Sequence, residues 1–136
     1  MTIENVVLRD ESTGSRASIL AGFGFNCYEF VAKVGGRDVD VVWSAPDFAS
    51  GNERPSGSGI PLLFPFPGRL RGTSFKWNSK QYKIEAGDGR DNAIHGFVIG
   101  RPWRVIEQTE SKVTVFDNSV GSGRLLAFAN PEKCFF

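Results

Sequence analysis

The sequence predicts an all-β chain, folded as an antiparallel β-sandwich. Three observations carry that reading. Apolar residues come in short runs or alternate with polar ones. Those runs are bounded by Gly, Asp and Ser and recur roughly every 8–12 residues. No segment sustains the 3.6-residue period of an amphipathic helix.

The elements follow in order. Val6–Leu8, Ala17–Leu20, Tyr28–Val34 and Val39–Trp43 read as strands. Gly35-Gly36 lies between the last two and reads as a hairpin turn, because glycine reaches positive φ without a Cβ penalty. Ala45–Ala49 reads as one helical turn, with Ser44 as N-cap and Pro46 at the first helical position. Residues 51–59, GNERPSGSG, form a polar loop. Phe75-Lys76-Trp77 and Tyr82-Lys83-Ile84 alternate, and Asn78-Ser79 between them is a second hairpin signal. Val105-Ile106 and Val113–Phe116 form a third pair. After Asp117 the alternation is lost, and the chain runs GSGRLLAFANPEKCFF. An end on Phe135-Phe136 with no polar tail points to a docked or an unnatural terminus.

Bulk properties exclude several functions. A chain of 136 residues fits one domain with a real core. Its 16 basic and 15 acidic residues leave a net charge of +1, which argues against nucleic acid or anionic membrane as partner. No window of about 18 apolar residues occurs, so no membrane helix is expected. Neither a secretory signal nor an Asn-x-Ser/Thr sequon is visible, and cytoplasm is the default compartment. Cys27 and Cys134 are far apart and make no CxxC motif. One histidine and two distant cysteines build no recognisable zinc site. GxSxG and P-loop motifs are absent, and GFGFN at 22–26 lacks the third glycine of a dinucleotide fingerprint.

The chemistry concentrates in GIPLLFPFPGRLRGTSF (59–75) and NAIHGF (92–97). Pro65 and Pro67 stiffen the chain before Gly68. An arginine after such a turn, Arg69, can be held in one place, and its planar fork suits sugar hydroxyls. From spacing alone a surface arginine or a structural salt bridge is the favoured reading, and on a strand Arg71 would share its face. His95, the single histidine, can donate or accept a proton near neutrality. It also fits a satisfied turn histidine. Asp91 and Asn92 could orient it or touch a ligand. Asp88 and Asp91 could act as acid or base, although nothing pairs them. Among the 12 Phe, 3 Trp and 2 Tyr, Phe64, Phe66, Phe97 or Trp103 could line a sugar cleft, while core packing explains most aromatics.

Five features stand in a fixed order: G-x-P-x-L-F-P, a Gly-Arg-Leu turn, the hairpin FKWNSKQYKI, Asn-x-x-His-Gly, and RPWRV. Together with SILAGFGFNCYEFVAKVGGRDVDVVW, they resemble the aldose 1-epimerases, the galactose-mutarotase-like sugar isomerases. The resemblance runs from about Ser15 to about Val115 and covers about the first half of a family domain. It implies part of a large antiparallel supersandwich, a single incomplete domain over residues 1–136. It further implies a hexose or hexose phosphate as ligand, anomer interconversion by acid–base ring opening, and no metal or organic cofactor. By position, Arg69 matches the arginine near the ring oxygen. His95 matches the first family histidine, a catalytic residue at the reacting centre. Asn92 matches the polar residue before it. The family's second histidine, its aspartate and its glutamate base have no counterpart, so weak or absent activity is expected of these residues alone. The alternatives are a non-catalytic carbohydrate-binding module and a protein that self-associates through exposed strand edges.

Overall fold

The computed structural model describes residues 3–117 and 125–129. Eleven strands alternate with turns among them, and a single 3₁₀ turn is the only helical element. The chain is therefore all-β, and every strand pair is antiparallel. By internal contacts it divides into two units, one of residues 1–62 and 98–136, the other of residues 63–97.

The larger unit holds two sheets. The first is a meander of β1 (Asn5–Arg9), β2 (Arg16–Leu20), β3 (Asn26–Val34) and β4 (Arg37–Asp40). Alternation decides which side chains are inside: Val6 and Leu8 of β1 are buried, while Asn5, Val7 and Arg9 face out. Gly35 and Gly36 both have positive φ, as a two-residue hairpin turn requires. A bulge moves the register between Ser18 and Ile19, so that β3 has one extra residue, Tyr28.

Strand β4 stops at Asp40, short of the expected Trp43. Val41 still donates its N–H to Phe30 O (2.9 Å), and the chain then leaves the ladder. The helical turn is shifted too. It is a 3₁₀ turn over Phe48–Ser50, with Asp47 rather than Ser44 before it. Ser44 instead donates its hydroxyl to the Tyr28 carbonyl. Burial of Phe48 explains the shift, since its ring lies 5.8 Å from that of Phe23 and 6.3 Å from that of Tyr28.

Three further strands belong to this unit: β9 (Arg104–Gln108), β10 (Val113–Asp117) and β11 (Leu125–Ala129), in the order β11-β10-β9. The third is a correction, because LLAFA shows no alternation and was not expected to pair. It pairs through its backbone with β10, Val113 opposite Ala129 through Asp117 opposite Leu125. Val113, Val115 and Trp103 join Leu8, Ile19, Phe25 and Val31 in the core. Cys27 is buried, whereas Cys134 and Phe135-Phe136 lie outside the described residues. Among the described residues, no helix is long and apolar enough to cross a membrane.

Asn26 fixes the polar loop of this unit. Its buried amide donates to Pro55 O (3.1 Å) and Ser58 O (3.0 Å). Ile60 then donates to Cys27 O (2.9 Å), which clamps the loop exit to β3.

The smaller unit holds two short ladders. Strand β5 (Arg69–Leu70) pairs with β8 (Ala93–Ile94), and β6 (Ser74–Trp77) forms a hairpin with β7 (Lys80–Lys83). Asn78 and Ser79 both have positive φ, so this two-residue turn is again of the hairpin type. Phe75 and Tyr82 are register partners with stacked rings 5.2 Å apart.

Candidate functional site

All three candidate residues, Arg69, Asn92 and His95, belong to the smaller unit and gather at the β5–β8 ladder. Two approaches of the backbone build the ladder's end. Gly96 makes a parallel bridge to Phe64, and Phe97 donates its N–H to Phe64 O at 2.7 Å. A Cβ on Gly96 would stand 1.9 Å from that oxygen, so only glycine fits there. Phe66 then meets Phe97 edge to face at 6.1 Å. The Phe64-Pro65 peptide is cis.

Gly68 and His95 clasp each other. His95 N–H donates to Gly68 O (2.9 Å), and Gly68 N–H donates to His95 Nδ1 (3.3 Å). The second bond has a chemical consequence. An Nδ1 that accepts a hydrogen bond carries no proton, so the neutral ring carries its proton on Nε2. His95 thereby offers a donor on its other side. It is half-buried and sits at φ +62°, a left-handed conformation unusual outside glycine.

Arg69 faces Ile94 across the ladder, and its Nε donates to Asp88 Oδ2 at 3.0 Å. Its side chain is 62% exposed, that of Asp88 0%. Arg71 lies past the end of β5, so the strand-based expectation of a shared face does not apply. Arg69 thus has a carboxylate partner in the turn that precedes β8.

Asn92 is committed both within its own turn and to Gly72. Its Oδ1 accepts from Gly72 N–H (2.9 Å), and its Nδ2 donates to Asp88 Oδ2 (3.0 Å) and Arg90 O (3.1 Å). Both amide hydrogens are thus in use.

Asp88 is the residue that sequence reasoning placed least well. Its side-chain type suits an acid or base. Its carboxylate accepts from Asn92 Nδ2, Arg90 N–H, Asn92 N–H and Arg69 Nε. The Asn92 amide first, then the two backbone donors and Arg69, outweigh burial and hold its pKa at about 2. A carboxylate so stabilised is a poor base at neutral pH. The signal was present: Asp-Gly-x-x-Asn is an Asx-turn pattern in which aspartate caps its own backbone.

Trp103, a candidate cleft wall, is 1% exposed beside Phe25 and belongs to the core. Phe64 stays exposed, and Phe66 and Phe97 are half-buried. Among the described residues, no three of His, Cys, Asp and Glu are grouped to hold a metal. A depression of about 270 Å³ lies at the β1–β2 and β9–β10 turns, lined by Arg9, Asp10, Glu11, Ser12, Glu110 and Ser111. It contains none of the candidate residues.

Arg69 in β5 is thus anchored to Asp88, and His95, just past β8, is clasped to Gly68. Residues 10–123 match the sequence profile of the aldose 1-epimerase family. The chain belongs to that family. Solved structures with a similar fold include a GalM/aldose epimerase homologue from C. elegans, 18% identical with a TM-score of 0.64. A putative aldose 1-epimerase from Escherichia coli K12 is 11% identical with a TM-score of 0.69, and a galactose mutarotase-like protein from Clostridium acetobutylicum is 23% identical with 0.64. The matches cover 85%, 92% and 90% of this chain but 35%, 41% and 40% of those chains. The chain thus spans about two fifths of their length. At these identities the likeness establishes the fold, that of galactose mutarotase-like β-sandwiches. Comparison with curated protein sequences gave no match.

Proposed function

We propose that this aldose 1-epimerase family chain supplies one wall of a sugar site, binding a free hexose or a hexose phosphate through Arg69 and His95. The observation that carries this reading is the clasp of His95 to Gly68, next to the anchored Arg69. Mutarotation needs a proton removed from the anomeric hydroxyl and one delivered to the ring oxygen. The C1–O5 bond then breaks, the aldehyde turns, and the ring recloses to the other anomer. A neutral His95 Nε2–H is suited to hydrogen-bond the ring oxygen as charge develops on it, with Arg69 beside it, while the proton delivered to that oxygen is left to an acid other than this tautomer. The opposite role needs a base. Asp88 is unsuited to it, with all its acceptor positions in use. Asn92 supports the site by shaping the turn.

The 136 residues by themselves are accordingly proposed to bind sugar with little or no turnover, since loss of a general base forgoes about 10²–10⁴-fold in rate. The second reading is self-association through exposed strand edges, favoured by β6 and β7, all of whose residues are exposed. The test pairs calorimetric titration of galactose and glucose with polarimetric mutarotation, on this chain and its His95→Ala variant. Binding that His95→Ala weakens at least about tenfold supports the reading. An absence of sugar binding, or binding indifferent to His95, overturns it. A rate near that of complete relatives, lost in His95→Ala, would overturn the low-turnover part alone.

A further inference from the structure

We infer that Asp88 is a positioning residue, which grips Arg69 by its Nε edge and so presents the two terminal guanidinium nitrogens to the sugar in one orientation. This rests on the reading of Arg69 as a sugar ligand. Nothing in the sequence pattern assigned Asp88 such a role.

Asp88 is firmly held. Its side chain is fully buried, and three of its four donors come from its own turn. Arg90 N–H (2.8 Å) and Asn92 N–H (3.0 Å) bind Oδ1, and Asn92 Nδ2 (3.0 Å) binds Oδ2. Asn92 in turn accepts from Gly72 N–H, which ties this turn to the chain just beyond β5. The carboxylate is thus fixed independently of Arg69, which arrives from 19 residues earlier. A fixed acceptor then orders a flexible, exposed donor.

The choice of nitrogen matters. Guanidinium has five N–H donors in one plane. Use of Nε leaves the four N–H groups of the two terminal nitrogens as an open fork. Restraint at Nε also removes side-chain freedom during folding rather than during binding. The depressed pKa of Asp88 keeps it charged through the neutral range.

The test follows the Arg69 Nε–H resonance by ¹⁵N NMR in the 136-residue chain, beside galactose titrations. In the wild type this proton is expected to exchange with solvent at least about tenfold more slowly than that of Arg71. Asp88→Asn is expected to remove the difference and weaken galactose affinity about tenfold. Arg69→Lys keeps the charge and leaves the Asp88 turn its three local donors. It guards against a trivial loss of the turn and should weaken affinity as much. The double variant should be no worse than Arg69→Lys alone. Equal exchange at Arg69 and Arg71 in the wild type overturns the anchoring. So does an Asp88→Asn chain with unchanged affinity while Arg69→Lys has lost it, and so do losses that add. If the wild type binds no galactose, the sugar reading falls, and the exchange measurement still decides the anchoring by itself.

Discussion

Gly96→Ala is the substitution that most directly probes the site's frame. The new Cβ would lie 1.9 Å from Phe64 O, 2.3 Å from Phe64 C and 2.9 Å from Pro65 N. Carbon atoms of this kind do not approach backbone closer than about 3 Å, so the two segments must separate by roughly 1 Å. Three effects then combine. A left-handed alanine, here at φ +74°, costs about 1–2 kcal/mol. The hydrogen bond from Phe97 N–H to Phe64 O is lost, at about 1 kcal/mol. Any remaining clash adds to these. The sum is at least about 2–3 kcal/mol, or roughly 30- to 150-fold in a local opening equilibrium. Gly68→Ala is the matched control. Its φ is +70°, but nothing lies within 4 Å of a Cβ there, so only the first effect of about 1–2 kcal/mol remains. Amide hydrogen exchange at His95 and Phe97 reads the difference directly. Gly96→Ala should accelerate exchange by the larger factor and Gly68→Ala clearly less. Equal acceleration in the two variants would refute close backbone approach as the reason for glycine at 96.

Three other outcomes are expected. Acid should loosen the Asp88 turn: the unfolded carboxyl takes up its proton near pH 4, the folded one only near 2, so the turn's stability is complete above about pH 4 and is lost as pH falls through 2. A pH titration of residue 85–92 amide shifts would show this, and a turn unchanged at pH 2 would contradict it. Asn26→Asp should destabilise more than Asn26→Ala near neutral pH, by about 1–3 kcal/mol, because a carboxylate would face the Pro55 and Ser58 carbonyls without a donor. Urea midpoints should converge as acid protonates the aspartate, and a constant gap would sink the argument. Trp103→Ala should cost about 3–5 kcal/mol in urea unfolding, and Trp103→Phe well under that, since Phe removes a buried indole N–H that has no partner among the described residues. Equal losses would show that the indole itself is needed.

Particular residues show where the sequence was legible. Gly35-Gly36 and Asn78-Ser79 were recognisable as turns, because positive φ at two successive positions is a local demand that few residues meet. Strand β10 was visible as alternation because a half-buried strand imprints its period on its own residues, here with Val113 and Val115 inside, whereas β6 and β7 alternate in sequence although all their residues are exposed. Strand β11 was not, because LLAFA does not alternate and no local pattern marked it as a strand. The 3₁₀ turn was misplaced by its apparent cap, since burial of Phe48 overrode the preference of Ser44.

By itself, then, the sequence determined an antiparallel all-β chain of the aldose 1-epimerase family, and it marked Arg69, Asn92 and His95 through motifs in order. Tertiary structure alone decided what those residues do for one another. Gly68 and His95 are separated by 27 residues, Arg69 and Asp88 by 19. Propensity and periodicity act within a few residues, whereas the partner of a given lone pair depends on the register in which β5 meets β8. That register places a backbone N–H on Nδ1 of His95 and a buried carboxylate on Nε of Arg69. It is fixed by where the Gly96 backbone can approach Phe64, a long-range contact that no local pattern encodes.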